Sequence, residues 1–67
     1  MFLHSTIEEP CILIGGKYDG IHRNVACLGK NSPCEQVLYS DAKYIIGFKN
    51  NEREKNNNGE WVYYIEV

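Results

Sequence analysis

The chain reads as an all-β domain, a small antiparallel sheet of about four to six strands curled into a half-open barrel. Three observations predict it. Apolar and polar residues alternate at period two from Ala42 to Lys49 and again from Glu60 to Val67, the spacing of strands with one face in a core. Ile12 to Ile14, with Cys11 ahead of them, are apolar on both parities, as in a strand covered on both faces. Turn-forming residues punctuate these runs at Gly15-Gly16, Asp19-Gly20, Gly29 to Pro33, Ser40-Asp41 and Asn58-Gly59. A flat sheet cannot cover apolar residues on both of its faces, so the sheet must curl.

The elements follow in order. Met1 to Glu9 carries Phe2, Leu3 and Ile7, which fit an edge strand better than a helical turn capped by Ser5 or Thr6; residues 1–10 are expected to attach loosely. Cys11 to Ile14 is the first firm strand, and Gly15-Gly16 ends it. Lys17-Tyr18-Asp19-Gly20 reads as a turn, because Asp-Gly supplies the positive-φ positions of a tight hairpin. Ile21 to Leu28 is the second strand. Gly29 to Pro33 is a loop, and Glu35 to Tyr39 a short third strand that Ser40-Asp41 breaks. In the fourth, Ala42, Tyr44, Ile46 and Phe48 share one face. In the last, Trp61, Tyr63, Ile65 and Val67 do the same, and these two strands are expected to pair. Between them Asn50 to Gly59 has no apolar residue. It is read as a polar hairpin tip, with Asn58-Gly59 as the turn and no apolar stripe to support a helix.

At 67 residues the chain is one domain, and by surface scaling it hides only roughly 60% of the surface its unfolded form exposes. Domains this small often depend on a disulfide, a metal or a partner subunit. Seven basic residues face nine acidic ones, for a net charge of −2, so no strong field points to nucleic-acid backbones. The N-terminal run lacks a basic lead and is too short for a signal peptide, and three cysteines without paired spacing suit a reducing compartment. A cytoplasmic location is the expectation.

Chemistry-bearing residues are few. Cys27 and Cys34 stand too far apart for a zinc chelate pair, Cys11 sits alone in an apolar strand, and His4 and His22 have no partner at ligand spacing; no metal or other cofactor is expected. His22 and Cys27 fall on opposite faces of one strand, which argues against a thiol–imidazole dyad, and no motif fixes Asp19 with His22 or Asp41 with His4. An enzyme is not expected. Gly15, Gly16 and Lys17 form a possible anion-binding loop, since successive glycine amides can cradle an anion, but the segment lacks the longer glycine pattern and following helix of phosphate loops. Tyr44, Trp61, Tyr63 and Tyr64 with Lys43, Lys49, Arg53 and Lys55 suggest a nucleic-acid platform, although alternation puts most of those rings on the core face. A chain this short cannot bury all its aromatics, and exposed rings are enriched at protein interfaces. Self-association through an edge strand is one outlet.

The opening strand, "GG", two residues, "DG" and a second strand, here Ile12 to Gly20, resembles the start of many small uncharacterised proteins encoded by tailed phages and prophages. A Tyr-containing middle strand and an aromatic closing strand, Trp61-Val62-Tyr63-Tyr64, are similar too. Lys17 replaces a frequent proline, and the polar insertion before Gly59 is long. The resemblance implies a phage accessory protein that works by binding a host factor, with no catalytic residues to carry over. The expected activity is therefore stoichiometric protein binding that inhibits a host defence or housekeeping protein, through Tyr18, Asp19, Tyr39, Tyr64 and Arg53. The alternative is a small barrel that binds nucleic acid or nucleotides.

Overall fold

Each strand of the main sheet sends one parity inward, and those inward residues make the core. The computed structural model describes residues 7–67; the expectations for Phe2, Leu3, His4, Ser5 and Thr6 lie outside them. Among the described residues seven strands are formed: β1 (Ile7–Ile14), β2 (His22–Cys27), β3 (Gln36–Tyr39), β4 (Ala42–Ile46), β5 (Phe48–Lys49), β6 (Glu52–Arg53) and β7 (Trp61–Ile65). Five of them build one sheet in the order β2-β1-β7-β4-β3, while β5 and β6 form a separate hairpin. Cys11 and Leu13 of β1, Val25 and Cys27 of β2, Tyr44 and Ile46 of β4, and Trp61 and Tyr63 of β7 pack together as the buried cluster. This is the half-open barrel that the alternation predicts.

One pairing departs from the antiparallel expectation. β7 lies parallel to β1, with Cys11 opposite Trp61 and Ile14 opposite Tyr64, and antiparallel to β4. The last strand thus enters between β1 and β4, where both its faces meet other residues, and Val62 is buried beside Trp61 and Tyr63. Pro10 fits inside β1 because of this staggering. The Leu13 amide donates to Ile21 of the β2 side, so by alternation the missing Pro10 donor faces the β7 side, where pairing begins only at Cys11. Ile7 to Pro10 are paired with β2, so the loose attachment expected of residues 1–10 does not extend to them.

β2 and β3 are the two ends of the sheet, and the seam between them is held at two points. At one end the Cys34 amide donates to the Ala26 carbonyl at 3.0 Å, beside an isolated bridge between Cys27 and Pro33. At the other, the Arg23 guanidinium lies 5.2 Å from the centroid of the Tyr39 ring, and Tyr39 meets Tyr18 edge to face at 4.9 Å. Backbone pairing does not continue between these points, so the barrel is nearly closed with an unsealed seam.

Two sequence expectations change in the polar segment. The strand from Ala42 to Lys49 is interrupted at Gly47, whose amide still donates to Val62 while its carbonyl accepts from Glu54. An added Cβ there would sit 2.5 Å from the Tyr64 ring and 2.7 Å from Glu54 Oε1, so a side chain at this position would have to push both aside. The tight hairpin turn is then Asn50-Asn51, both at positive φ (56° and 66°), the conformation of a two-residue hairpin loop that asparagine tolerates. Asn58-Gly59 forms a second turn, in which Asn56 Oδ1 accepts from the amides of Asn58 and Glu60 at 3.0 and 2.8 Å.

Candidate functional site

The glycine loop after β1 is organised by its own side chains. Gly16–Tyr18 makes one 3-10 turn, and Asp19 Oδ1 accepts the Gly15 amide at 2.5 Å. The Gly15 carbonyl accepts the Tyr44 hydroxyl at 2.8 Å, and that hydroxyl accepts the Tyr18 amide at 3.3 Å. The Gly15 donor that would face an anion is therefore already taken by the loop's own carboxylate. Gly15 and Gly16 also stand against Ile65, so close that a Cβ on either would meet its side chain at 2.7 and 3.0 Å. Close packing and turning account for this pair of glycines. Lys17 remains exposed, its Nζ 5.7 Å from the Tyr18 ring.

The five residues expected to bind do not converge on one surface. Tyr18, Asp19 and Tyr39 lie at the open end of the seam, where the Tyr18 hydroxyl donates to Asp41 at 2.9 Å. That hydrogen bond, helped by the nearby Lys17 charge, holds the Asp41 carboxyl below its usual range. Tyr64 stands on the outer face of the sheet, 41% exposed, and its hydroxyl donates to Glu54 at 2.8 Å; the same bond to a carboxylate pushes the phenol up. Arg53 is half-buried on β6 rather than at an exposed tip. As alternation predicts, Tyr44, Trp61 and Tyr63 of the suggested nucleic-acid platform are core residues, because they share the inward parity of their strands.

Two surface regions gather side chains from several strands, the second of them joining Trp61, Arg53 and Lys55 of the suggested platform with Phe48. On the outer face, strand register sets Ile14, Tyr64 and Ile45 in one row across β1, β7 and β4. On the edge strand β3 the polar Gln36 continues this row opposite Ile45, and Leu38, 69% exposed, stands diagonally from Ile45, opposite Lys43. The Lys43–Glu66 ion pair at 3.5 Å and the Tyr64–Glu54 hydrogen bond rim this apolar row. At the hairpin end, a groove is lined by Phe48, Arg53, Lys55 and Trp61 with Asn31, Asn51 and Glu52. Alternation predicts Phe48 inward, yet it is 61% exposed. The missed signal was Gly47, since a glycine inside a strand pattern marks a break in register.

A shallower groove lies over β2, lined by Glu8, Pro10, His22, Arg23, Asn24 and Glu60. His22 Nδ1 donates to Glu60 Oε2 at 2.6 Å, and Asn56 Nδ2 donates to Glu60 Oε1 at 3.0 Å. Asn56, then His22, holds the Glu60 carboxyl below its usual range. A carboxylate whose pKa falls on folding stabilises the fold above its unfolded pKa and loses that contribution as pH drops through the folded value. The urea midpoint should accordingly fall on acidification through and below the ordinary carboxylate range of about 4. Glu60→Gln should make that decline shallower; an unchanged acid limb would show that the contacts to Glu60 do not stabilise the fold.

The thiols lie in the core. Cys11 and Cys27 are buried, Cys34 is half-buried, and all three are free; burial pushes the Cys11 and Cys27 thiols up, away from the reactive thiolate. His22 is on the outer side of β2 while Cys27 points inward, so the two are kept apart. Among the described residues no cluster of three His, Cys, Asp or Glu side chains is placed to hold a metal ion, and no helix is long and apolar enough to cross a membrane. No family model, curated protein or solved structure matches the chain.

Proposed function

We propose that the chain acts by stoichiometric binding to another protein through the outer face of its sheet. The observation that carries this reading is the Ile14–Tyr64–Ile45 row with Leu38 exposed on the same face, diagonal to Ile45. An apolar row on a barrel's outside, rimmed by an ion pair and a hydrogen-bonded carboxylate, has the make-up of a protein contact, with an aromatic anchor at its centre and polar groups at its edge. Under the phage resemblance the partner is a bacterial host protein, and binding inhibits it. Tyr64 is the anchor of the five residues first singled out. Tyr18 and Tyr39 instead brace the seam.

The test is a comparison of captures from bacterial lysate by the native chain and by Tyr64→Arg and Leu38→Asp, both substitutions at exposed positions. The native chain is expected to retain one protein at equimolar yield, which both variants lose while melting as the native chain does. Retention by the variants, or no equimolar protein at all, would overturn the reading. Closure of the same face on a second copy is the other possible outcome, and sedimentation of the purified chain as a dimer would reveal it.

A further inference from the structure

Cross-strand pairing at the hairpin end lines up two couples of a ring and a cation. Phe48 is opposite Arg53 in the β5–β6 register, so the two side chains share a face. Lys55 is opposite Trp61 across an isolated bridge, with its Nζ 4.5 Å from the indole centroid. Asn31 from the loop after β2 and Asn51 and Glu52 from the hairpin complete a groove of about 480 Å3, within the size range of small-ligand sites.

Two independent features of this groove point to a ligand. The Phe48 ring is held largely in water next to two cations, an arrangement that suits a planar ring carrying negative charge. Among the described residues neither Arg53 nor Lys55 has a carboxylate within ion-pair distance. Arg53 is moreover half-buried, and its Nε lies inside the protein without a hydrogen-bond partner. Nε is enclosed and cannot itself meet a ligand, so an anion would act at the terminal nitrogens, whose charge no carboxylate among the described residues neutralises at ion-pair distance. Glu52 is the one carboxylate of the lining, and it stands opposite Lys49 in the hairpin.

We propose that this groove binds a nucleotide unit, the base stacked on Phe48 and the phosphate held by the terminal nitrogens of Arg53 and by Lys55. Phosphate suits a guanidinium fork, and Lys adds a point charge. Free nucleotides and single-stranded nucleic acid present the same chemistry, so the experiment separates them. The site stands apart from the protein-docking face, since neither Leu38 nor Tyr64 lines it.

Trp61 is the sole tryptophan, and it belongs to the groove, so its emission reports occupancy. The full chain is titrated at low salt with adenosine monophosphate, and separately with short oligothymidylate and oligouridylate. A saturable change in emission is expected, weakened by added salt and by Lys55→Gln. Loss of the stacking ring in Phe48→Ala should weaken binding roughly tenfold or more. A response to the oligonucleotides alone assigns single strands; an equal response to the mononucleotide assigns free nucleotides. No change with any probe up to millimolar concentration, or binding that Phe48→Ala leaves intact, would overturn the proposal. Phe48 is exposed, so its variant should fold, and a thermal melt verifies this. Failure here leaves the Tyr64 and Leu38 test standing, because the two sites share no residue.

Discussion

Tyr63→Ala is expected to leave the chain largely unfolded at 25 °C. Tyr63 has no exposed surface and sits at the centre of the core cluster, with inward residues of β1, β2 and β4 around it. Truncating a buried aromatic residue costs about 3–5 kcal/mol in lost burial and residual cavity. A chain of 67 residues, at roughly 0.05–0.15 kcal/mol per residue, has only about 3–10 kcal/mol in total. The substitution therefore consumes most of that margin. Tyr63→Phe separates the ring from the hydroxyl, which donates to the Cys34 carbonyl at 2.5 Å and is pushed well above its usual pKa, chiefly by burial. Losing that one hydrogen bond costs about 1 kcal/mol. Urea melts followed by circular dichroism should thus show a cooperative transition at a lower midpoint for Tyr63→Phe and no native baseline for Tyr63→Ala. Equal midpoints for Tyr63→Ala and the native chain would show that the core is not assembled around this ring.

The strands were legible because inward positions recur at period two wherever a strand has one buried face. Tyr44 and Ile46 of β4, and Trp61 and Tyr63 of β7, were read correctly on that basis, and so was the pairing of these strands. The parallel contact of β7 with β1 was not legible, since the two segments lie at opposite ends of the chain and alternation says nothing about which edge a strand joins. Phe48 was misplaced for a local reason: Gly47 breaks the strand, and period-two reasoning fails past a break. The hairpin turn was assigned to Asn58-Gly59, whereas Asn50-Asn51 also adopts positive φ, and a run of asparagines offers several such turns with little to choose between them. Surface sites were least legible. Tyr18, Tyr39, Tyr64 and Arg53 are plausible contacts one by one, but only the curl of the sheet decides which of them are neighbours. It put Tyr18 against Tyr39 and left Tyr64 on another face.

Gly15→Ala should destabilise the fold clearly more than Gly20→Ala, although both glycines have nearly the same φ. Their φ values are +90° and +87°, so each alanine is strained by about 1–2 kcal/mol as an L-residue at positive φ, and Gly15, with ψ 164°, also lies in a region that essentially only glycine enters. They differ in their surroundings. A Cβ at Gly20 meets nothing within 4 Å, whereas at Gly15 it would lie 2.7 Å from Ile65 Cγ2 and 3.6 Å from Ile65 Cβ. Ile65 is β-branched and stiff at χ1, so its methyl cannot turn away without moving β7, and overpacking of this kind adds about 1–3 kcal/mol. Movement of the loop would also disturb the Gly15 carbonyl that accepts the Tyr44 hydroxyl and the Gly15 amide that Asp19 accepts. The double variant Gly15→Ala, Ile65→Ala removes the opposing methyl and isolates the steric part. If packing rules this loop, Gly15→Ala should cost much less on the Ile65→Ala background than on the native one, measured by urea midpoints at constant m-value. Equal costs on both backgrounds, or equal costs for Gly15→Ala and Gly20→Ala, would mean that the first glycine is needed only for its dihedral angle and that the loop is not wedged against the last strand.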